Sequence, residues 1–266
     1  MGELVFIGLG LHDHMGISLQ GLEEAKTADT IFIELYTSLL PGFSIQSLTE
    51  LLGKETRILS RKDLEEDNGK IIFEAASRGK TVLLVPGDPL IATTHITLRI
   101  EAKKRGVETR VVHGSSILSA AIGLSGLHNY KFGKSVTIPF PTENQSTTPY
   151  SVIAENKKSG LHTLCLLDIR AEERRFLNIR DALEALLEIE SRRKAHAVAV
   201  DSLAIGVARA GSRNPTVRAG YVNDLLKKDF GDPPHTLIFP GSLHFMEVEA
   251  LIALAGAPET IRRLAE

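Results

Sequence analysis

Short β-rich runs alternate with helix-period segments through the first half of the chain, and no other feature constrains the fold as much. Leu4-Val5-Phe6-Ile7 precedes a helical pattern over 19–28, and Thr30-Ile31-Phe32-Ile33 precedes one over 45–52. A helix predicted over 63–76 then leads to a strand at Thr81-Val82-Leu83-Leu84-Val85, a helix over 97–104, a strand over 108–112 and a helix over 117–124. This is βαβ rhythm. The runs at Leu4 to Ile7 and Val82 to Val85 lack apolar–polar alternation, as parallel strands covered by helices on both faces do, so the expectation is a doubly wound, mostly parallel open sheet.

The character changes between His128 and Tyr150, where turn formers and prolines gather, and a hinge is expected near Gly133 with a mobile loop at Pro141 to Pro149. Beyond it, strands are expected over 163–169, 198–201, 205–210 and 236–239, with helices over 179–192, 221–228 and 246–255. Close spacings between Ala195 and Ala219 suit antiparallel pairs, so this second sheet should be mixed. With 266 residues the chain is a little under two average domains long. The reading is α/β: an N-terminal domain over 1–133 carrying a Gly-rich loop, and a C-terminal domain over 134–266. A cleft between two such halves is a common ligand site.

Composition removes several classes. Lys plus Arg number 31 against 33 for Asp plus Glu, a formal charge of -2, which supplies no field for a polyanion and argues against a nucleic-acid partner. The single cysteine, Cys165, cannot form an intramolecular disulfide and sits in an apolar run. No stretch approaches the ~18 uninterrupted apolar residues of a membrane span, so a cytoplasmic protein without a membrane partner is expected.

Candidate chemistry collects where predicted strands end. Gly8-Leu9-Gly10-Leu11 follows the first strand, but Asp13 stands where a dinucleotide fingerprint needs its third glycine. Glu34 ends the second strand, where a ribose-binding carboxylate could sit. Pro86-Gly87-Asp88-Pro89 follows Leu83-Leu84-Val85, so a proline-bracketed turn presents Asp88 at the edge where open α/β sheets bind ligands, although the carboxyl could equally serve the turn alone. His113-Gly114-Ser115-Ser116 repeats that placement ahead of a helix. Asp168 and Ala208-Arg209-Ala210-Gly211 end strands of the second half, and His235 follows the rigid Asp232-Pro233-Pro234. Of nine histidines only His12 and His14 are close, and neither H-x-x-x-H nor C-x-x-C occurs, so no metal is expected. G-x-S-x-G and Walker motifs are also missing.

Together these segments resemble the diphthine synthases, methyltransferases of the tetrapyrrole-methylase fold. The resemblance is carried by Phe6-Ile7-Gly8-Leu9-Gly10-Leu11, Glu34-Leu35-Tyr36-Thr37-Ser38-Leu39, the run from Pro86 to His95 (PGDPLIATTH), the run from Gly126 to Ser135 (GLHNYKFGKS), Gly160-Leu161-His162-Thr163-Leu164, Leu167-Asp168-Ile169, and the stretch from Ala208 to His235. It spans nearly the whole chain. It implies a homodimer of two α/β domains that binds S-adenosylmethionine in the interdomain cleft and releases S-adenosylhomocysteine. The implied acceptor is the amino group of a modified histidine, aminocarboxypropyl-histidine, on translation elongation factor 2, as part of diphthamide biosynthesis. By residue match the donor would lie near Leu11, Asp88, Ile91, Ser116, Ile117, Leu167, Ala210 and His235. Leu11-His12-Asp13 departs from the proline and further glycine common in tetrapyrrole-modifying relatives. No catalytic residue follows from the resemblance. Methyl transfer from a sulfonium needs positioning more than a protein nucleophile, which suits a chain with neither triad nor metal motif.

Overall fold

The structure, a computed structural model, describes residues 2–141 and 146–266. Its contacts divide the chain into two units, Met1–Ile117 with Arg170–Arg174 and Leu118–Ile169 with Arg175–Glu266. The division therefore falls earlier than Gly133. The Gly133 N–H donates to the His162 carbonyl (2.9 Å), and Asn156 Nδ2 donates to the Lys134 carbonyl (2.8 Å), so the segment around the expected hinge is tied into the second unit.

In the first unit β1 (Glu3–Gly8), α1 (Leu19–Lys26), β2 (Thr30–Glu34), α2 (Ile45–Leu52), β3 (Arg57–Leu59), α3 (Lys70–Ala76), β4 (Lys80–Val85), α4 (Ile96–Lys104) and β5 (Glu108–Val112) follow one another. The sheet order is β3-β2-β4-β1-β5, and every neighbouring pair is parallel. Successive side chains of a strand point to opposite faces, and here both faces are buried. Leu4, Phe6, Phe32, Leu83 and Val85 join one core with Ile72, Phe73 and Leu98 from α3 and α4. Val5, Ile7, Ile31, Ile33, Val82 and Leu84 join the other with Ala25, Leu48 and Leu52 from α1 and α2. This doubly wound arrangement is the physical reason the strand sequences show no alternation. Leu4 to Ile7 are fully buried, and at roughly 1.5–3 kcal/mol each they hold β1 in place despite the ~0.5–1 kcal/mol cost of ending it on glycine. The helix expected over 63–76 is broken: a π-helical turn at Lys62–Glu66 gives way at Asn68 and Gly69, both at positive φ, before α3 begins.

The second unit holds α5 (Ile117–Ser125, its first residue counted with the first unit), β6 (Val136–Ile138), α6 (Thr148–Lys158) and β7 (Thr163–Leu167). After a ribbon of β8 (Ile169–Arg170, its second residue counted with the first unit) and β9 (Arg175–Phe176) come α7 (Ile179–Arg193), β10 (Leu203–Ala208), β11 (Thr216–Tyr221), α8 (Val222–Leu225), β12 (His235–Phe239) and α9 (Phe245–Ala255). The order is β11-β10-β12-β7-β6, antiparallel except for β6 with β7, so the sheet is mixed as expected. Its core gathers Tyr150 and Ile153 of α6, Leu183 and Leu186 of α7, and Leu237 and Phe239 of β12. Residues 198–201 form a turn rather than a strand. Of the expected loop at Pro141 to Pro149, residues 142–145 lie outside the described residues, and Pro149 belongs to the first turn of α6.

Candidate functional site

Three neighbouring strands of the first unit, β4, β1 and β5, end side by side, and each passes into a glycine: Gly8 closes β1, Gly87 follows β4, and Gly114 follows β5. A Cβ on Gly8 would stand 2.5 Å from the Gly87 carbonyl oxygen and 2.6 Å from the Gly114 nitrogen. One on Gly114 would press on the Gly8 backbone at 2.8 Å. Gly10 and Gly87, both at positive φ, exchange backbone hydrogen bonds of 3.2 and 2.6 Å. The carboxyl edge of the sheet is thus a floor of bare backbone, and such floors let a ligand approach the main chain closely.

Asp88 leaves this floor at the turn after β4. It is 5% exposed, its Oδ1 accepts from the Leu90 N–H (3.0 Å), and its Oδ2 lies 2.7 Å from Nδ1 of His113. Turn-closing and ring contact are therefore both uses of one carboxyl. The His113 ring itself is 74% exposed. The same turn continues through Ile91, exposed, to His95, buried; the Pro89 carbonyl accepts from Thr93 Oγ1 (2.8 Å) and from His95 Nδ1 (3.2 Å), which closes the segment on itself. Leu11 follows Gly10, and Ser116 and Ile117 open α5. Five expected site residues, Leu11, Asp88, Ile91, Ser116 and Ile117, thus belong to the turns that leave one sheet edge.

Glu34 is not presented to a ligand. It is fully buried, its Oε2 accepts from the N–H groups of Tyr36 (3.0 Å) and Thr37 (3.1 Å), and its Oε1 is bonded to Thr37 Oγ1. Burial pushes its carboxyl up to about 7 against those hydrogen bonds. The ribose-binding option for Glu34 is thereby corrected: the side chain closes the turn after β2.

The remaining three expected residues belong to the second unit and share one end of its sheet. Ala208 pairs with His235, Thr236 pairs with Leu166, and the Arg209 N–H donates to the Pro234 carbonyl (2.9 Å), which brings Leu167, Ala210 and His235 to the same edge. His235 Nε2 faces two carbonyl oxygens, Gly231 at 3.0 Å and Asp232 at 3.2 Å, so it carries the ring proton. Burial lowers the pKa of this imidazole. Its Nδ1 is buried without a partner among the described residues, a lone pair left to accept a hydrogen bond. Asp168 instead accepts from the backbone of Ile169 (2.9 Å) and Phe140 (3.3 Å), so its carboxyl ties the turn after β7 to the segment after β6. Cys165 is fully buried, which raises its thiol pKa and fits an inert core residue.

Sequence reasoning missed the Asp88–His113 contact and a buried cluster around Glu247. The residues were visible, but Asp88 and His113 are 25 positions apart, and His128, Lys131 and His162 are 85 or more from Glu247. A groove of about 830 Å³ lined by Asp29, Lys54, Arg57 and Arg78 opens at the opposite, amino end of β2, away from the glycine floor. Among the described residues no group of three or more His, Cys, Asp or Glu side chains could hold a metal, and no helix is long and apolar enough to cross a membrane.

Residues 3–225 match the model of the tetrapyrrole (corrin/porphyrin) methylases. The fold and this match define an S-adenosylmethionine-dependent methyltransferase. Diphthine synthase of Methanocella arvoryzae is 49% identical over 254 residues, 95% of this chain and 98% of that protein. Diphthine synthase of Methanosarcina mazei is 47% identical over 97% of this chain and 98% of its own. A crystal structure of diphthine synthase superposes with a TM-score of 0.90 at 42% identity, covering 98% of this chain and 99% of the other. The chain belongs to the tetrapyrrole methylase family, among its diphthine synthases.

Proposed function

We propose that the protein moves methyl groups from S-adenosylmethionine to the amino group of aminocarboxypropyl-histidine on translation elongation factor 2, a step of diphthamide biosynthesis. The observation that carries this reading is similarity to diphthine synthases along almost the full length of both chains. In the first unit Leu11, Asp88, Ile91, Ser116 and Ile117 contact the donor over the glycine floor. In the second, Leu167, Ala210 and His235 do so, with Nδ1 of His235 accepting a hydrogen bond. The bound donor supplies an already activated methyl group, so the chain's own task is to position it and exclude water. No metal is called for. We further propose a homodimer in the cytoplasm, with S-adenosylhomocysteine as product. Labelled S-adenosylmethionine incubated with elongation factor 2 carrying the precursor tests the reading. Added methyl masses on that histidine are expected; donor binding with no transfer to a verified precursor overturns it.

A further inference from the structure

We propose that His113 is the general base that removes the proton from the acceptor amine; this rests on the methyl-transfer reading above. The sheet order explains why the residue stands where it does. Asp88 follows β4 and His113 follows β5, with β1 between them, and neighbouring strands are ~4.8 Å apart. Their turns meet only because β1 ends on Gly8, whose Cβ would collide with both. Across that bare end the Asp88 Oδ2 reaches His113 Nδ1 at 2.7 Å.

This contact sets the tautomer. A carboxyl oxygen accepts the Nδ1 proton, so Nε2 keeps its lone pair. Asp88 is buried and fixed through Oδ1 by the Leu90 N–H, whereas the His113 ring is largely exposed. An anchored carboxyl behind an accessible imidazole is the arrangement that orients a general base. Other candidates near the floor lack it. Asp13 is engaged in capping Met15 (2.8 Å), and the buried Nδ1 atoms of His12 and His14 have no partner among the described residues.

An alkylammonium has no lone pair and cannot attack, so one proton must leave first. Nε2 of His113 takes it. The amine nitrogen then bonds to the methyl carbon while the carbon–sulfur bond breaks and its electron pair stays on sulfur. The imidazolium passes the proton to water and is ready for the next methyl. Asp88 acts in this step through the ring it orients.

Three measurements test the assignment. His113→Ala is expected to slow single-turnover transfer to the precursor-bearing factor by ~100-fold or more, and added imidazole to restore at least about tenfold of that loss. Calorimetry should find its Kd for S-adenosylmethionine within about twofold of wild type. Nitrogen NMR of the wild-type ring should show Nδ1 protonated and Nε2 unprotonated when the imidazole is neutral. An Ala variant with the wild-type rate overturns the assignment, as does a loss that tracks weakened donor binding and ignores imidazole. Wild-type protein that binds the donor yet transfers nothing to the precursor overturns the proposed function itself, a result distinct from failure at His113.

Discussion

His95 and Glu34 face each other inside the first unit, Nε2 3.9 Å from Oε1, with side-chain exposures of 1% and 0%. His95 Nδ1 holds the Pro89 carbonyl, and Glu34 holds the N–H groups of Tyr36 and Thr37, so two turns at the carboxyl edge of the sheet meet at this pair. Because both Oε2 contacts are N–H donors, a proton on Glu34 resides on Oε1. Burial raises the pKa of Glu34 and lowers that of His95, so both shifts favour the neutral forms, with Arg61 acting on the first and Glu65 on the second.

That pairing gives stability a sign with pH. Glu34 moves from an ordinary value of 4.5 to about 7 in the folded chain, so the folded state binds the extra proton between those limits. Its contribution is fully present below 4.5 and is lost as pH rises through about 7. Relative to Glu34→Gln, wild type should lose on the order of 2–3 kcal/mol between pH 5 and 8. His95 has the opposite slope but is common to both proteins, so the difference isolates Glu34. Urea unfolding at several pH values checks it, and parallel curves would refute it.

The glycine floor makes Gly8→Ala a demanding substitution. Its Cβ meets backbone on two sides at 2.5 and 2.6 Å, and backbone cannot swing away as a flexible side chain can. Destabilisation of roughly 1–3 kcal/mol is expected, together with a donor Kd weakened at least about tenfold as the turns after β4 and β5 are pushed apart. Thermal melting and calorimetry read the two effects. A variant that binds donor as wild type does would show that close approach of these turns is not needed.

Gly123 offers the contrast. It lies within α5, is exposed, and has nothing within 4 Å of an added Cβ. Gly123→Ala should raise stability by ~0.5–1 kcal/mol, since alanine lowers the entropy of the unfolded chain without strain. An unchanged or lower melting temperature would count against this account.

The sequence disclosed most where burial is simple. Leu4 to Ile7 and Val82 to Val85 are covered on both faces and read as parallel strands from composition alone. The short strands were not legible: β3 has Arg57 and Ile58 exposed, β6 has three residues, and β11 carries Arg218, Ala219 and Gly220, which have little strand preference. The polar α6 begins within the expected loop at Pro141 to Pro149, and its residues beyond Pro149 carried no assigned element. At the candidate site the turns were found, because glycine and proline mark them. The contacts between turns were not, because Asp88–His113 and Glu34–His95 depend on strand order, which no local pattern encodes.

Glu247 in the second unit shows what such long-range contacts contribute to stability. The carboxyl is fully buried at the start of α9 and accepts from the His128 N–H (2.7 Å), the His244 N–H (2.8 Å), Lys131 Nζ (3.0 Å) and His162 Nε2 (3.0 Å). Burial alone would raise its pKa, but these donors together bring it down to about 2. A lowered carboxyl contributes stability above its ordinary value of 4.5 and loses it as pH falls through about 2. Glu247→Gln leaves the Lys131 ammonium without its counter-charge and gives the His162 ring an amide in place of a carboxylate. A loss of roughly 3–5 kcal/mol at neutral pH is expected, with a shallower acid limb than wild type. Guanidinium unfolding at pH 7 measures the first and acid titration of the circular dichroism the second; a variant within about 1 kcal/mol of wild type at pH 7 would mean that the four donors find other partners.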